Sequence, residues 1–428
     1  MRMMMPRRTG CARRAIRSRA GRPRFSSTSF PNAFSNCRRP RADHRGVTTM
    51  AMVLNEEAGM LKDAARGFLA DSAPIAQLRK LRDTDNADGF DRKTWAAMAE
   101  MGWTSVLVPE AHGGVEMGHV AAGVIAEEMG RTLTASPFLS TAIMGATALS
   151  RFGSDGQKGE WLPRIAAGEA ITAIAVDEGR KHNPSRVATK AERSGNGFKL
   201  SGRKSFVAEG HVADMMIVSA RTAGGEAEAE GVSLFLVPID AAGVSVERIK
   251  TVDSRNFATV TLDGVEVTAD AALGEVDGGL TALEAVLDAG RAGLSAEMSG
   301  SAQECLASTV AYLKERKQFG QIIGTFQALQ HRAAHLYSEV ELGKSIVMKA
   351  LQTLDAAPDH AAMMVSAAKA KLGQVAQMAA QEGVQMHGGM GMTDEFDIGF
   401  FMKRVRVAEA LYGDANYHAE KFARMRQY

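Results

Sequence analysis

Two clusters in the last third of the chain combine residue types able to hold a charged ligand. His387-Gly388-Gly389-Met390-Gly391 lies between two segments with apolar residues at helical spacing, Ala362 to Gln385 and Asp397 to Leu411. Glycine there permits positive φ and lets another group approach the backbone. A helix end, a bare glycine turn and a new helix make a nucleotide seat, or only a turn. No strand pattern precedes it, so it is not a dinucleotide fingerprint. The second cluster is Arg316-Lys317-Gln318-Phe319-Gly320, ending one long helical pattern before Phe326-Gln327 opens the next. An arginine at such a corner can pair bidentately with phosphate, beside the donors of a helix N-terminus, or tie the corner to a carboxylate. Phe319 can pack against a flat ring.

Other chemistry-bearing residues read as structural. Glu127-Glu128 are adjacent on a helix, so they point apart and read as a solvated face. Cys305 sits in a helical stretch and reads as a small buried hydrophobe. The other two cysteines, Cys11 and Cys37, lie in the head of the chain. With neither a disulfide framework nor metal-ligand spacing, cysteine usage suits a reducing compartment.

The 428 residues divide into a basic N-terminal segment, 1–49, and three further regions. The segment holds 13 arginines, no lysine and one acid, Asp43. It has no continuous apolar run, so it is neither a secretory signal nor a membrane span. It reads as a mis-set start with Met50 as the true one, an organellar transit peptide, or a basic arm. The remaining residues carry a formal charge of about −10, which argues against nucleic-acid binding.

Residues 50–170 read as helical. Leu61, Ala64, Ala65 and Phe68 keep one stripe; Trp95, Met98 and Met101 keep another after the Asp91 start. Residues 171–276 alternate in short runs, with Ser194-Gly195-Asn196-Gly197 as a hairpin signal. No helix-length crossover interrupts them, so an antiparallel barrel or sandwich is expected. Residues 277–428 carry long periodic segments, Leu280–Phe319, Phe326–Leu354 and Ala361–Gln385, and a last one after Asp397. These suggest a four-helix bundle. The fold class is α+β multidomain.

RKQFGQIIGTFQ followed by QMHGGMG resembles the acyl-CoA dehydrogenase family, which carries R-x-x-F-G-x-x-I-x-x-F-Q and Q-x-x-G-G-x-G in its C-terminal helical domain. Phe206 to Gly210, Asp214, and Asp263-Gly264-Val265 with Val267 resemble the family's β-domain signature. The resemblance runs from about Met50 to Tyr428. It implies FAD at the junction of the β and helical domains, with its adenine half reaching a neighbouring subunit. Carried over by position, Arg316 would meet the pyrophosphate, and Gln318, Phe319 and Gln327 would lie along the cofactor. Gln385, Met386, His387, Gly388 and Gly389 would seat the adenine end, and Phe206, Val207 and Ala208 would flank the ring. Ala208 lacks the hydroxyl common at its position.

The reaction implied is α,β-dehydrogenation of an acyl-CoA thioester to the trans-2-enoyl-CoA, as in fatty-acid β-oxidation. Electrons would pass to electron-transfer flavoprotein, in a homotetramer or a heterotetramer with a related subunit. A carboxylate removes the α-proton in this chemistry. The family's two glutamate positions hold Tyr412 and Gly290 here. Asp414 is the substitute expected as base, or else it caps a helix or contacts FAD. Arg291 and Arg180 are expected at the substrate. The loop Val176 to Pro184 departs from the family's T-E-P-G-x-G-S-D and resembles the bacterial branch that includes the pimeloyl-CoA dehydrogenase small subunit. A base-less subunit that completes FAD sites, or a flavin oxidase or monooxygenase, are the alternatives. Location would be cytoplasmic if the chain starts near Met50, and the mitochondrial matrix if 1–49 is a transit peptide.

Overall fold

The structure, a computed structural model, describes residues 52–428. The expectations for residues 1–49 lie outside the described residues. Six α-helices come first: α1 (Glu56–Ser72), α2 (Ile75–Asp83), α3 (Arg92–Glu100), α4 (Gly118–Thr132), α5 (Ala146–Phe152) and α6 (Asp155–Ala166). A π-helical stretch, Phe138–Gly145, runs into α5. Asp91 starts α3 by accepting from Lys93 N at 2.8 Å and Thr94 N at 3.0 Å, so the helix begins where its cap falls.

The middle region is β1 (Thr172–Ala175), β2 (Lys190–Ser194), β3 (Gly197–Ala208), β4 (Met215–Arg221), β5 (Val232–Pro238), β6 (Val244–Lys250), β7 (Asn256–Thr268) and β8 (Ala272–Leu273). Their order is β6-β7-β3-β2-β4-β5-β8, with β1 added beside β4. Gly195-Asn196 closes the β2–β3 hairpin, pairing Ser194 with Gly197. The sheet is not wholly antiparallel: β1 pairs parallel with β4, and Lys190 of β2 pairs parallel with Arg221 of β4. Residues 176–189, long enough to return the chain to the same end, allow this without a helical crossover.

The C-terminal region is α7 (Gly279–Glu315), β9 (Lys317–Gln318), β10 (Gln321–Ile322), α8 (Gln327–Ala356), α9 (Ala362–His387), α10 (Ile398–Ala410) and α11 (Ala415–Met425). Two expected boundaries shift. The long first helix stops at Glu315, and Lys317 to Ile322 form a small antiparallel hairpin turned by Phe319 (φ +55°) and Gly320 (φ +76°). The last segment is two helices, broken where Tyr412 (φ +58°) and Gly413 (φ +106°) leave helical geometry.

The centre of the molecule is α7, buried for most of its length. Glycine makes its contact with α4 close: a Cβ at Gly300 would stand 1.8 Å from Glu127 O, and one at Gly130 would stand 2.0 Å from Glu297 O. This crossing overturns the solvated-face expectation for Glu127-Glu128. Glu128 is 1% exposed and Arg66 of α1 grips it at 2.9 and 3.1 Å, while Lys62 pairs with Glu127. Packing of α1 across α4 supplies those cations. Cys305 is buried, and desolvation pushes its thiol far above the usual range, as expected of a small core residue.

Candidate active site

Two hollows hold several of the residues singled out from sequence. The first is a cavity of about 510 Å³ at the α7–α8 corner, lined by Arg316, Gln318, Phe319, Met386, His387, Gly388 and Gly389 among others. Arg316 is exposed, and its side chain has no hydrogen-bond or ion-pair partner among the described residues. The alternative of a carboxylate-tied corner is therefore not what the fold builds. Phe319 is 89% exposed. Gly388 has φ +62° and ψ −138°, a backbone region held almost only by glycine, and a Cβ there or at Gly389 would meet nothing within 4 Å. The floor beneath is firm. His387 stacks on Tyr312 with centroids 4.4 Å apart, and its Nδ1 lies 2.7 Å from Gly383 O. Gln327 in the first turn of α8 and Gln385 in the last turn of α9 are exposed and outside this lining.

The second hollow is a cleft of about 300 Å³ between the sheet and the α10–α11 break. Phe206, Arg180, His182, Arg406, Asp177 and Tyr412 are among its walls. Phe206 is 49% exposed with φ +53°; Val207 and Ala208 turn into the sheet interior, 1% and 5% exposed, and are not in the cleft lining. Two anchors hold the loop after β1. Glu178 pairs at 2.7 Å with the fully buried Lys204 and accepts from Ala188 N and Thr189 N. Asp177 accepts from His182 Nδ1 at 2.9 Å.

Arg291 stands behind the cleft, not in its lining. It is fully buried, and its guanidinium reaches Glu284 and Asp288 at 2.7 Å each, Tyr412 O at 3.1 Å and His182 Nε2 at 2.9 Å. The direct substrate contact expected of it gives way to a framework position. A Cβ at Gly290 would stand 2.5 Å from Sδ of the buried Met144, so a side chain there would require Met144 to move. Burial first, then the Glu209 and Asp177 carboxyls, push the Tyr412 phenol well above its usual range, so it is no proton acceptor at neutral pH. Asp414 is exposed and caps α11, accepting from Tyr417 N at 2.7 Å. That is the capping role; the desolvated environment expected of a base is absent there.

The break carrying Tyr412 is fastened by groups the sequence reading did not single out. Lys369, fully buried on α9, donates to Glu409 O at 2.7 Å and Gly413 O at 2.8 Å, and desolvation lowers it to about 7. His418 Nε2 lies 3.0 Å from Tyr412 O. Below lies an ionic cluster. Arg404 of α10 meets both oxygens of Glu297 and one of Asp253, and Arg255 meets Glu297 at 3.0 Å. A charged residue inside a small-residue helix, as Glu297 is in α7, is the signal that marks such a cluster from sequence, but its partners lie on other elements.

Three family models match the chain in order: acyl-CoA dehydrogenase N-terminal domain over residues 55–169, middle domain over 174–265 and C-terminal domain over 277–425. The acyl-CoA dehydrogenase FadE12 of Mycobacterium tuberculosis is 31% identical over 368 residues, covering 85% of this chain and 94% of that protein. The chain belongs to the acyl-CoA dehydrogenase family. It is thereby an oxidoreductase acting on acyl-CoA, of the α+β class expected. Among solved structures, this acyl-CoA dehydrogenase is similar to a chain of the ChsE4-ChsE5 complex from Mycobacterium tuberculosis, at 25% identity and TM-score 0.80, covering 88% and 99% of the two chains. A structure described as the electron transferring flavoprotein of Acidaminococcus fermentans gives 25% identity, TM-score 0.81, and coverage of 88% and 99%.

Members of the acyl-CoA dehydrogenase family are FAD flavoproteins. The first hollow fits that group on its own chemistry: an unpaired arginine for a pyrophosphate, an exposed phenyl ring for a flat ring, and a glycine floor with open space above it.

Proposed function

We propose that this protein catalyses the FAD-dependent α,β-dehydrogenation of an acyl-CoA thioester to the trans-2-enoyl-CoA, passing electrons to a flavoprotein acceptor. The supporting observation is one chain that carries both the Arg316–Gly389 hollow and a cleft lined by Asp177, Phe206 and Tyr412. Arg316 would hold the pyrophosphate, Gln318, Phe319 and Gln327 the chain of the cofactor, and Gln385 to Gly389 its adenine end. Phe206 to Ala208 would flank the ring, and Asp414 would lie near it. Bound flavin supplies the hydride acceptor. The protein's own part is to orient the thioester, exclude water and take the α-proton. Arg180 and Arg406 at the cleft are cations for CoA phosphates or an anionic acyl tail.

A second reading has two observations in its favour. Tyr412 and Gly290 are both non-acidic, and the likeness to a chain of a two-protein complex suits a subunit that completes a site in a heterotetramer. A homotetramer and an electron-transfer flavoprotein partner belong to the first reading. No helix among the described residues is long and apolar enough to cross a membrane.

The test is to purify the full-length chain, record its flavin spectrum and add a panel of acyl-CoAs without oxygen. Bleaching supports the dehydrogenase. Bound flavin that no acyl-CoA bleaches favours the subunit reading, and a partner that restores bleaching would establish it. Peroxide formed in air at the rate of bleaching would instead indicate an oxidase.

A further inference from the structure

Dehydrogenation next to a thioester removes a proton from the α-carbon, and a positioned base must receive it. Asp177 is the only carboxylate among the described residues lining the cleft. Its setting is built. His182 Nδ1 lies 2.9 Å from both of its oxygens, and Asn183 N donates to Oδ1 at 3.2 Å. The protonation pattern follows from the next link. Arg291 Nη2 can only donate, so His182 Nε2, 2.9 Å away, must accept. A neutral imidazole then carries its hydrogen on Nδ1 and donates it to Asp177, which accepts as a carboxylate. Burial lowers the pKa of His182, consistent with the neutral ring. Arg291 is itself fixed by Glu284 and Asp288. The hydrogen-bond chain from Arg291 through His182 therefore runs from a rigid helix to one accepting carboxylate, Asp177, at the cleft wall. The His182 ring also stands edge-on to Tyr412, with centroids 6.3 Å apart, which places the pair beside the α10–α11 break.

We propose that Asp177 is the α-proton acceptor of this enzyme, with His182 as its positioning residue. The inference rests on the dehydrogenation reading above. In the step, the Cα–H bond breaks and its proton passes to a carboxylate oxygen of Asp177. The Cα electron pair would form the new Cα=Cβ bond as the β-hydrogen leaves with its pair, for which bound oxidised flavin would supply the two-electron acceptor. Charge and electrons balance: the substrate loses two electrons and the flavin gains them. Glu209 is the other carboxyl acting on the Tyr412 phenol, but it is not part of the cleft lining.

The test uses full-length protein and a probe that needs no redox step. Acetoacetyl-CoA has an acidic α-hydrogen, and its enolate has its own ultraviolet band. Wild-type protein, with or without flavin, is expected to bind the probe as the enolate. D177N is expected to bind it un-ionised, with Kd within about threefold of wild type, and to bleach at least about 100-fold more slowly with acyl-CoA. H182Q keeps the carboxylate but loses its orientation. It is expected to form the enolate still while bleaching about tenfold more slowly. D177N that forms the enolate and bleaches at the wild-type rate overturns the proposal. If D177N does not fold, H182Q bleaching at the wild-type rate overturns it. Wild type that leaves the probe un-ionised also counts against Asp177. Wild type that ionises the probe but whose flavin no acyl-CoA bleaches counts against the dehydrogenase reading alone.

Discussion

Arg404 and Glu297 meet through two parallel hydrogen bonds of 2.7 and 2.9 Å, joining α10 to the buried centre of α7. Both side chains are under 10% exposed, so the pair fixes the helix leading to Tyr412 without solvent screening. Desolvation pushes the Glu297 carboxyl up, but Arg255 and Arg404 outweigh it and hold it at about 2. A depressed carboxyl contributes stability above its unfolded pKa and loses it as pH falls toward the folded value. E297Q leaves the buried Arg255 without its ion pair and Arg404 with Asp253 alone, and should cost about 3–5 kcal/mol in urea unfolding at pH 7. The deficit relative to wild type should shrink from pH 4.5 downward.

Glu209 has the opposite sign. Burial raises its carboxyl to about 7, against the pull of Arg255 and Arg404. The two arginines already face Glu297 and Asp253, so Glu209 has no ion-pair partner of its own among the described residues. The folded state binds the proton more tightly than the unfolded one. Its contribution is therefore full below about pH 4.5 and lost as pH rises through about 7. E209Q should be more stable than wild type at pH 8 by up to about 2 kcal/mol, and no more stable at pH 4. Paired thermal melts at the two pH values measure this.

Arg316 and Gly388 should separate cofactor binding from folding. R316A removes an exposed, unpaired guanidinium, so the melting temperature of flavin-free protein should stay within about 2 °C of wild type. Flavin affinity, read by equilibrium dialysis, should fall about tenfold or more for loss of a charge-assisted pair. G388A meets no atom but forces alanine to φ +62° and ψ −138°, which should cost about 1–3 kcal/mol of stability.

The α4–α7 crossing depends on Gly300. G300A places a methyl group 1.8 Å from Glu127 O, a backbone atom that cannot move alone. The helices must separate, and unfolding should show a loss of about 2 kcal/mol or more. A variant as stable as wild type would mean the crossing is looser than the structure shows.

Much was legible in the sequence because it is local. Helical periodicity marked α7, α8 and α9, Asp91 marked the start of α3, and Gly195-Asn196 marked the β2–β3 turn. The family resemblance of two motifs implied that Arg316 and Gly388-Gly389 serve one cofactor, and both line one hollow. What sequence could not decide depended on partners distant in the chain. Asp414 looked like a base because it follows Tyr412, yet its backbone turns it outward to cap α11. Glu127-Glu128 looked solvated until α1 brought Arg66 and Lys62 across them. Asp177 and Arg291 are more than a hundred positions apart, and only the packing of the β1 loop against α7 puts His182 between them. Residue type and spacing determined the helices, the turns and the cofactor motifs. Tertiary structure decided which charges are buried together, because burial sets their pairing and their proton affinity, and burial is a property of the whole fold.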